Sequence, residues 1–99
     1  MNTEEIRNGE EIILKVSGKV DAITGDKFQQ EILQSFRKTT GLVIDFTEVV
    51  FISSAGLRGL LIGQKTANSK GGYMKVRGAS PSVMQIFKTT GFDKMLTIE

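Results

Sequence analysis

The chain has 99 residues, enough for one domain with one core but leaving little room for an enclosed catalytic cleft. It contains no cysteine and no histidine, which removes disulfides, thiolate zinc sites, a Ser-His-Asp triad, the commonest general base and the commonest metal ligand. Thirteen Lys and Arg against eleven Asp and Glu leave a net charge of +2. The basic residues are scattered, and their densest group, Lys65, Lys70, Lys75 and Arg77, reads as a solvated face rather than a nucleic-acid-binding stripe.

No apolar run approaches the roughly 20 residues of a membrane span. The first residues are acidic and polar where a signal peptide would be apolar, so a cytoplasmic protein without membrane association is expected. No linker, repeat or low-complexity segment breaks the chain, and residues 1–99 are expected to form one domain. A P-loop pattern is missing from the sequence. No catalytic residue, metal site or cofactor is expected, and the chain reads as a binding protein rather than an enzyme.

Residues 4–7 suggest a short edge strand. Residues 11–17 are rich in β-branched residues and predict a second strand, with a turn at Gly18 and Lys19 and a continuation through Val20 and Asp21. Over 24–38 the apolar residues Phe28, Ile32, Leu33 and Phe36 share one helical face. Asp26 suits the start of that helix and Arg37 and Lys38 its end. Residues 42–46 predict an apolar strand, buried on both faces and covered by helices on both sides.

A second helix is predicted over 54–68, with Leu57, Leu60 and Leu61 on its apolar side. Its glycines Gly56, Gly59 and Gly63 cost up to about 1 kcal/mol each relative to Ala, which implies close approach to the sheet or to a neighbour. The Gly71–Gly72 pair ends this helix, and residues 73–77 form the next strand. Ser80 and Pro81 open a third helix as cap and first-turn residue. Val83, Ile86 and Phe87 make its inner face, Gly91 closes it with Phe92 packing back, and residues 95–98 end the chain as a strand. The order β-β-α-β-α-β-α-β predicts an α/β domain with a mixed sheet of four to five strands and three to four helices.

The segment between the central strand and the second helix carries the functional signal. Ser53 and Ser54 stand where an apolar strand gives way, after a polar turn, to a helix start. One reading is a helix cap at either serine. The other is a modifiable hydroxyl, because a phosphate at a helix N-terminus meets free N–H groups and the positive end of the dipole. Such a phosphate would leave the fold intact and add a charge of about −2 to the surface. A partner covering that spot would have to desolvate it.

The run from Ile44-Asp45-Phe46 to Ile52-Ser53-Ser54-Ala55-Gly56-Leu57-Arg58-Gly59-Leu60-Leu61 resembles the STAS domain, and within it the bacterial anti-sigma factor antagonists. Ser17-Gly18-Lys19-Val20-Asp21, Gly71-Gly72 and Ser80-Pro81-Ser82-Val83 match further segments, so the resemblance spans nearly the whole chain. It implies that Ser54 is the residue phosphorylated by an anti-sigma factor serine kinase, with Ser53 the less favoured alternative. It also implies that Asp21 lies beside that serine, and that Gly56 lets the helix start approach a partner. Docking would then involve Asp21, Ile52, Ser53, Ser54, Ala55, Gly56, Leu57 and Arg58.

On this resemblance the unphosphorylated protein binds the anti-sigma factor and frees the sigma factor, phosphorylation ends docking, and a metal-dependent serine phosphatase resets the cycle. The chain departs from the family pattern at Ser53, where many antagonists carry Asp, and at Lys19, where an acidic residue is usual. The alternative is a STAS subunit of a lipid-transport ATPase or another transport assembly. A monomer is expected.

Overall fold

The computed structural model describes residues 1–99. Strands β1 (Asn2–Asn8) and β2 (Glu11–Val20) form an antiparallel hairpin, followed by α1 (Gly25–Ser35), β3 (Gly41–Ile52) and α2 (Ser54–Ser69). Then come β4 (Tyr73–Arg77), α3 (Pro81–Thr90), α4 (Phe92–Met95) and β5 (Thr97–Ile98). The five strands lie in the order β1-β2-β3-β4-β5, and every pair after the first is parallel. The mixed α/β sheet matches the expected class, with the single-turn α4 as an addition that shortens the last strand.

The strand order explains where the helices lie. Each parallel step advances in the same direction through a helical connection, the last through both α3 and α4, so right-handed crossovers place α1, α2 and α3 on one face of the sheet. The core reflects this. Ile12, Leu14, Leu42, Ile44, Phe46, Met74 and Val76 alternate towards the helices and join one buried cluster with Phe28, Ile32, Leu60, Val83 and Phe87. Phe46 is its centre, with ring centroids 6.1 Å from Phe28 of α1 and 6.3 Å from Phe87 of α3.

The expectation that helices cover β3 on both sides is therefore corrected. Val43 and Ile13 are buried on the opposite face yet stand outside the helix-packed cluster. Long neighbouring side chains share that face. Residues Glu4, Lys15, Asp45 and Arg77 form one cross-strand row, and Ile6, Ile13, Val43 and Lys75 form the next. The Lys75 ammonium sits 5.0 Å from the Tyr73 ring centroid. Residues Lys75 and Arg77 thus lie on the sheet while Lys65 lies on α2 and Lys70 caps its end, so the four form no common stripe.

Several boundaries also differ. The expected turn at Gly18–Lys19 is continuous strand: Gly18 has φ +87° and lies where the β2–β3 register shifts, as a bulge rather than a reversal. The supposed polar turn after Phe46 is likewise strand, with Glu48, Val49, Phe51 and Ile52 paired to β2. Helix α1 stops at Ser35, because Arg37 and Lys38 donate to carbonyls three residues back and tighten the chain out of the α-helix.

Other local expectations hold. The Ser80 hydroxyl accepts the Val83 N–H at 3.2 Å, Pro81 starts α3, and Gly91 ends it at φ +80°. The α2 glycines mark close packing: a Cβ on Gly56 would stand 2.6 Å from Ile52 Cγ1 and 2.8 Å from Val20 Cγ1. One on Gly63 would stand 2.7 Å from Met74 Sδ.

Candidate functional site

The bulged β2–β3 pair carries both strands to one end of the sheet, and there the Ser53 N–H donates to the Val20 carbonyl at 2.8 Å. This bond ties the turn entering α2 to the loop entering α1. Asp21 follows Val20 directly. Its Oδ1 accepts the N–H groups of Ile23 at 3.0 Å and Thr24 at 3.1 Å, while its own N–H donates to Thr24 Oγ1 at 3.0 Å. The Thr24 N–H is the main cause holding the Asp21 carboxyl below the usual carboxylate range. Asp21 thus shapes the start of α1 beside the serine turn, and its carboxylate bonds run to its own loop.

The two serines occupy different environments. Ser53 is the N-cap of α2, with extended backbone at φ −98° and ψ 179°, but its side chain makes no capping hydrogen bond. Its Oγ is buried without a partner. Ser54 is the first residue of the helix and is exposed. The expectation of a serine-capped helix is corrected here: the cap position is filled, but no hydroxyl closes it. The first helical bond runs from the Leu57 N–H to the Ser53 carbonyl at 2.9 Å, which leaves the N–H groups of Ser54, Ala55 and Gly56 at the open end. No acidic residue lies in the first turn, and Arg58 is exposed one turn beyond Ser54. This helix start suits an anion.

The residues singled out from the sequence divide by burial. Ser54 and Arg58 are exposed, Asp21, Ser53 and Ala55 are half-buried, and Ile52, Gly56 and Leu57 are buried. Ile52 and Leu57 belong to the core cluster, and Gly56 is packed against Val20 and Ile52 of its own chain. Those three hold the turn in place from below.

Sequence reasoning missed the apolar surface around the turn. Ile23 is 90% exposed, Val50 63% and Phe51 44%, and all three sit at the sheet end that carries Ser54. Ile23 hid in a loop, whereas Val50 and Phe51 hid in the run Val49-Val50-Phe51-Ile52. Only the bulged register shows that the middle two residues of that run face out while the outer two face in. None of the molecule's cavities is lined by residues 52–58. The site is an exposed apolar and polar surface around one hydroxyl, which suits a macromolecular partner better than a small substrate.

The fold is thus a single sheet with its helices on one face and an exposed serine at the mouth of α2. The STAS domain family model matches residues 2–99, and the chain belongs to that family. It is 30% identical over 96 residues to the anti-sigma-B factor antagonist of Listeria monocytogenes, covering 94% of this chain and 82% of the relative. To the anti-sigma F factor antagonist of Paenibacillus polymyxa it is 29% identical over 90 residues, covering 88% and 76%. Among solved structures, an anti-sigma factor antagonist from Mycobacterium paratuberculosis superposes with a TM-score of 0.87 at 26% identity, covering 98% of this chain and 83% of that one. The phosphorylated form of the Bacillus cell fate determinant SpoIIAA shares the fold with a TM-score of 0.76 at 15% identity, covering 99% and 91%.

Proposed function

We propose that this domain is an anti-sigma factor antagonist switched by phosphorylation of Ser54. Unphosphorylated, it docks on an anti-sigma factor that is also a serine kinase, and the sigma factor is released. Transfer of a phosphoryl group to Ser54 ends the docking, and a metal-dependent serine phosphatase restores it. The protein is the kinase's substrate and regulator, with no chemistry of its own.

The observation that carries this reading is the contrast between the two hydroxyls. Ser54 is exposed at an open helix start, whereas Ser53 Oγ is buried. A kinase can reach the first and not the second. Around Ser54, Ile23, Val50 and Phe51 supply apolar area for a partner to cover. A phosphate on Ser54 would be compatible with the helix start, so the fold would persist while the docking surface gained a charge of about −2. The names of the relatives support the choice of partner.

Parallel pull-downs from native-host lysate, with wild-type and Ser54→Asp protein as baits, test this reading. Capture of a kinase-fold anti-sigma factor by wild type, lost with Ser54→Asp, is the expected result. Capture of transport-ATPase subunits by both baits would overturn it. Incubation of the captured kinase with ATP and the wild-type domain, followed by peptide mapping, should place the phosphate on Ser54. Phosphate on Ser53 would sink the assignment.

A further inference from the structure

The largest cavity of the molecule, about 420 Å³, lies at the end of the sheet opposite Ser54. It opens where β3 begins and where α1 and α2 end. Its walls carry Arg7, Arg37, Lys38 and Lys70, with Glu10 the only carboxylate among the lining residues. Lys38 is neutralised by Glu5 at 2.6 Å. The other three cations have no carboxylate within ion-pair distance, since the only other salt bridge of the molecule is Arg77 with Asp45. Arg37, Lys38 and Lys70 stand just past the ends of α1 and α2, where a cation offsets the helix dipole. Arg7 comes from β1, away from both helices, and lines the same cavity. The hydrogen bond from Lys38 chiefly holds the Glu5 carboxyl below the usual range, and the charge of Arg7, two residues on along the strand, adds to that effect. Glu5 nonetheless makes its ion pair with Lys38 and not with Arg7.

We propose that this cavity binds a small anion bearing two or more phosphate groups. Two guanidinium groups can each grip phosphate oxygens in a bidentate fork, with Lys70 adding a point charge. Thr40 adds a hydroxyl with no partner in the protein's own hydrogen-bond network, whereas Thr39 is already bonded to Glu10 and Gly41. The only aromatic lining residue, Phe36, is buried and offers no face for stacking a base. The phosphates themselves, rather than a nucleobase, are therefore the recognised group. Since the cavity and the serine turn occupy opposite ends of the sheet, occupancy would leave the docking surface free. The proposal does not depend on the function inferred above.

The test is an NMR titration of the full ¹⁵N-labelled chain with sodium pyrophosphate, against sodium chloride at matched ionic strength. Saturable shifts confined to residues 7–10, 36–41 and 70 are expected. Affinity should fall about tenfold or more in Arg7→Gln/Arg37→Gln, as expected for losing charged hydrogen bonds, and should persist in Lys94→Gln on α4. Both arginines are exposed, and the dispersion of the same spectra reports whether the variants fold. Responses matched by chloride, spread over all surface cations, or unchanged in the double variant would overturn the proposal.

Discussion

Gly25 of α1 and Ala55 of α2 meet so closely that a Cβ on the glycine would stand 2.6 Å from the alanine Cβ and 3.2 Å from its carbonyl carbon. The two helix starts are thereby locked together. The loop that presents Ile23 and the turn that presents Ser54 form one rigid surface, reinforced by the bond from Ser53 to Val20.

Gly25→Ala is therefore expected to push the two starts apart. The atoms in the way are backbone and a Cβ, which cannot rotate aside, so the cost should be about 1–3 kcal/mol. For a domain of this size that lowers Tm by roughly 4–8 °C per kcal/mol. Adding Ala55→Gly should restore most of the loss, and the coupling is read from a double-mutant cycle of thermal melts. Additive losses would show that the two residues do not share the constraint.

Ser54→Ala should leave stability within about 0.5 kcal/mol of wild type, because Ser54 is not the cap and is exposed. Ser54→Asp should melt at the same temperature or slightly higher, since an acid in the first helical turn gains about 0.3–1 kcal/mol. Calorimetric titration with the captured partner should show binding retained by the alanine variant and weakened by the aspartate variant. Equal binding by both, with phosphorylated wild-type protein also binding normally, would exclude charge at this hydroxyl as the switch.

Ile23→Ser and Phe51→Ser separate docking from folding. Ile23 is almost fully exposed, so its replacement should not move Tm. Phe51 is half-covered, so a small decrease is expected there. If these side chains anchor the partner, each substitution should weaken binding about tenfold, the scale of an interface hot spot. Unchanged affinity in both variants would shift the docking surface away from the strand ends.

Local elements were the most legible from sequence. The Ser80-Pro81 start and Gly91 stop of α3 were readable because their chemistry is local. The α2 glycines announced close packing, as Gly56 and Gly63 bear out. The length of β3 was not legible, because its last half is held by bulged pairing to β2, a relation between residues about thirty positions apart. Nor was the helix-free face of the sheet: the burial of Val43 looks the same in sequence whether a helix or a neighbour's long side chain covers it. The serine turn was legible as a place, but the differing burial of Ser53 and Ser54 depends on how α2 seats on Val20 and Ile52. Asp21 stood out by resemblance, although its hydrogen bonds to Thr24 are local enough to be found from the spacing alone.

Asp45 supplies a prediction about acid stability. It is nearly buried on the helix-free face, where Oδ1 accepts the Thr47 N–H at 2.9 Å and hydroxyl at 2.6 Å, and Oδ2 accepts from the Arg77 guanidinium at 3.2 Å. Burial pushes its carboxyl up, but the Thr47 bonds and Arg77 outweigh that effect and hold it below the usual carboxylate range. A folded pKa below the unfolded value of about 3.9 means that the stabilisation is fully present above that value. It is lost as pH falls through the lower, folded pKa. Asp45→Asn should therefore cost about 1–3 kcal/mol at pH 7, and the gap to wild type should close as both are acidified below about pH 4. Urea melts at several pH values measure it. A gap that stays constant down to pH 2 would show that the carboxylate's charge is not the source of the stabilisation and would overturn this account of Asp45.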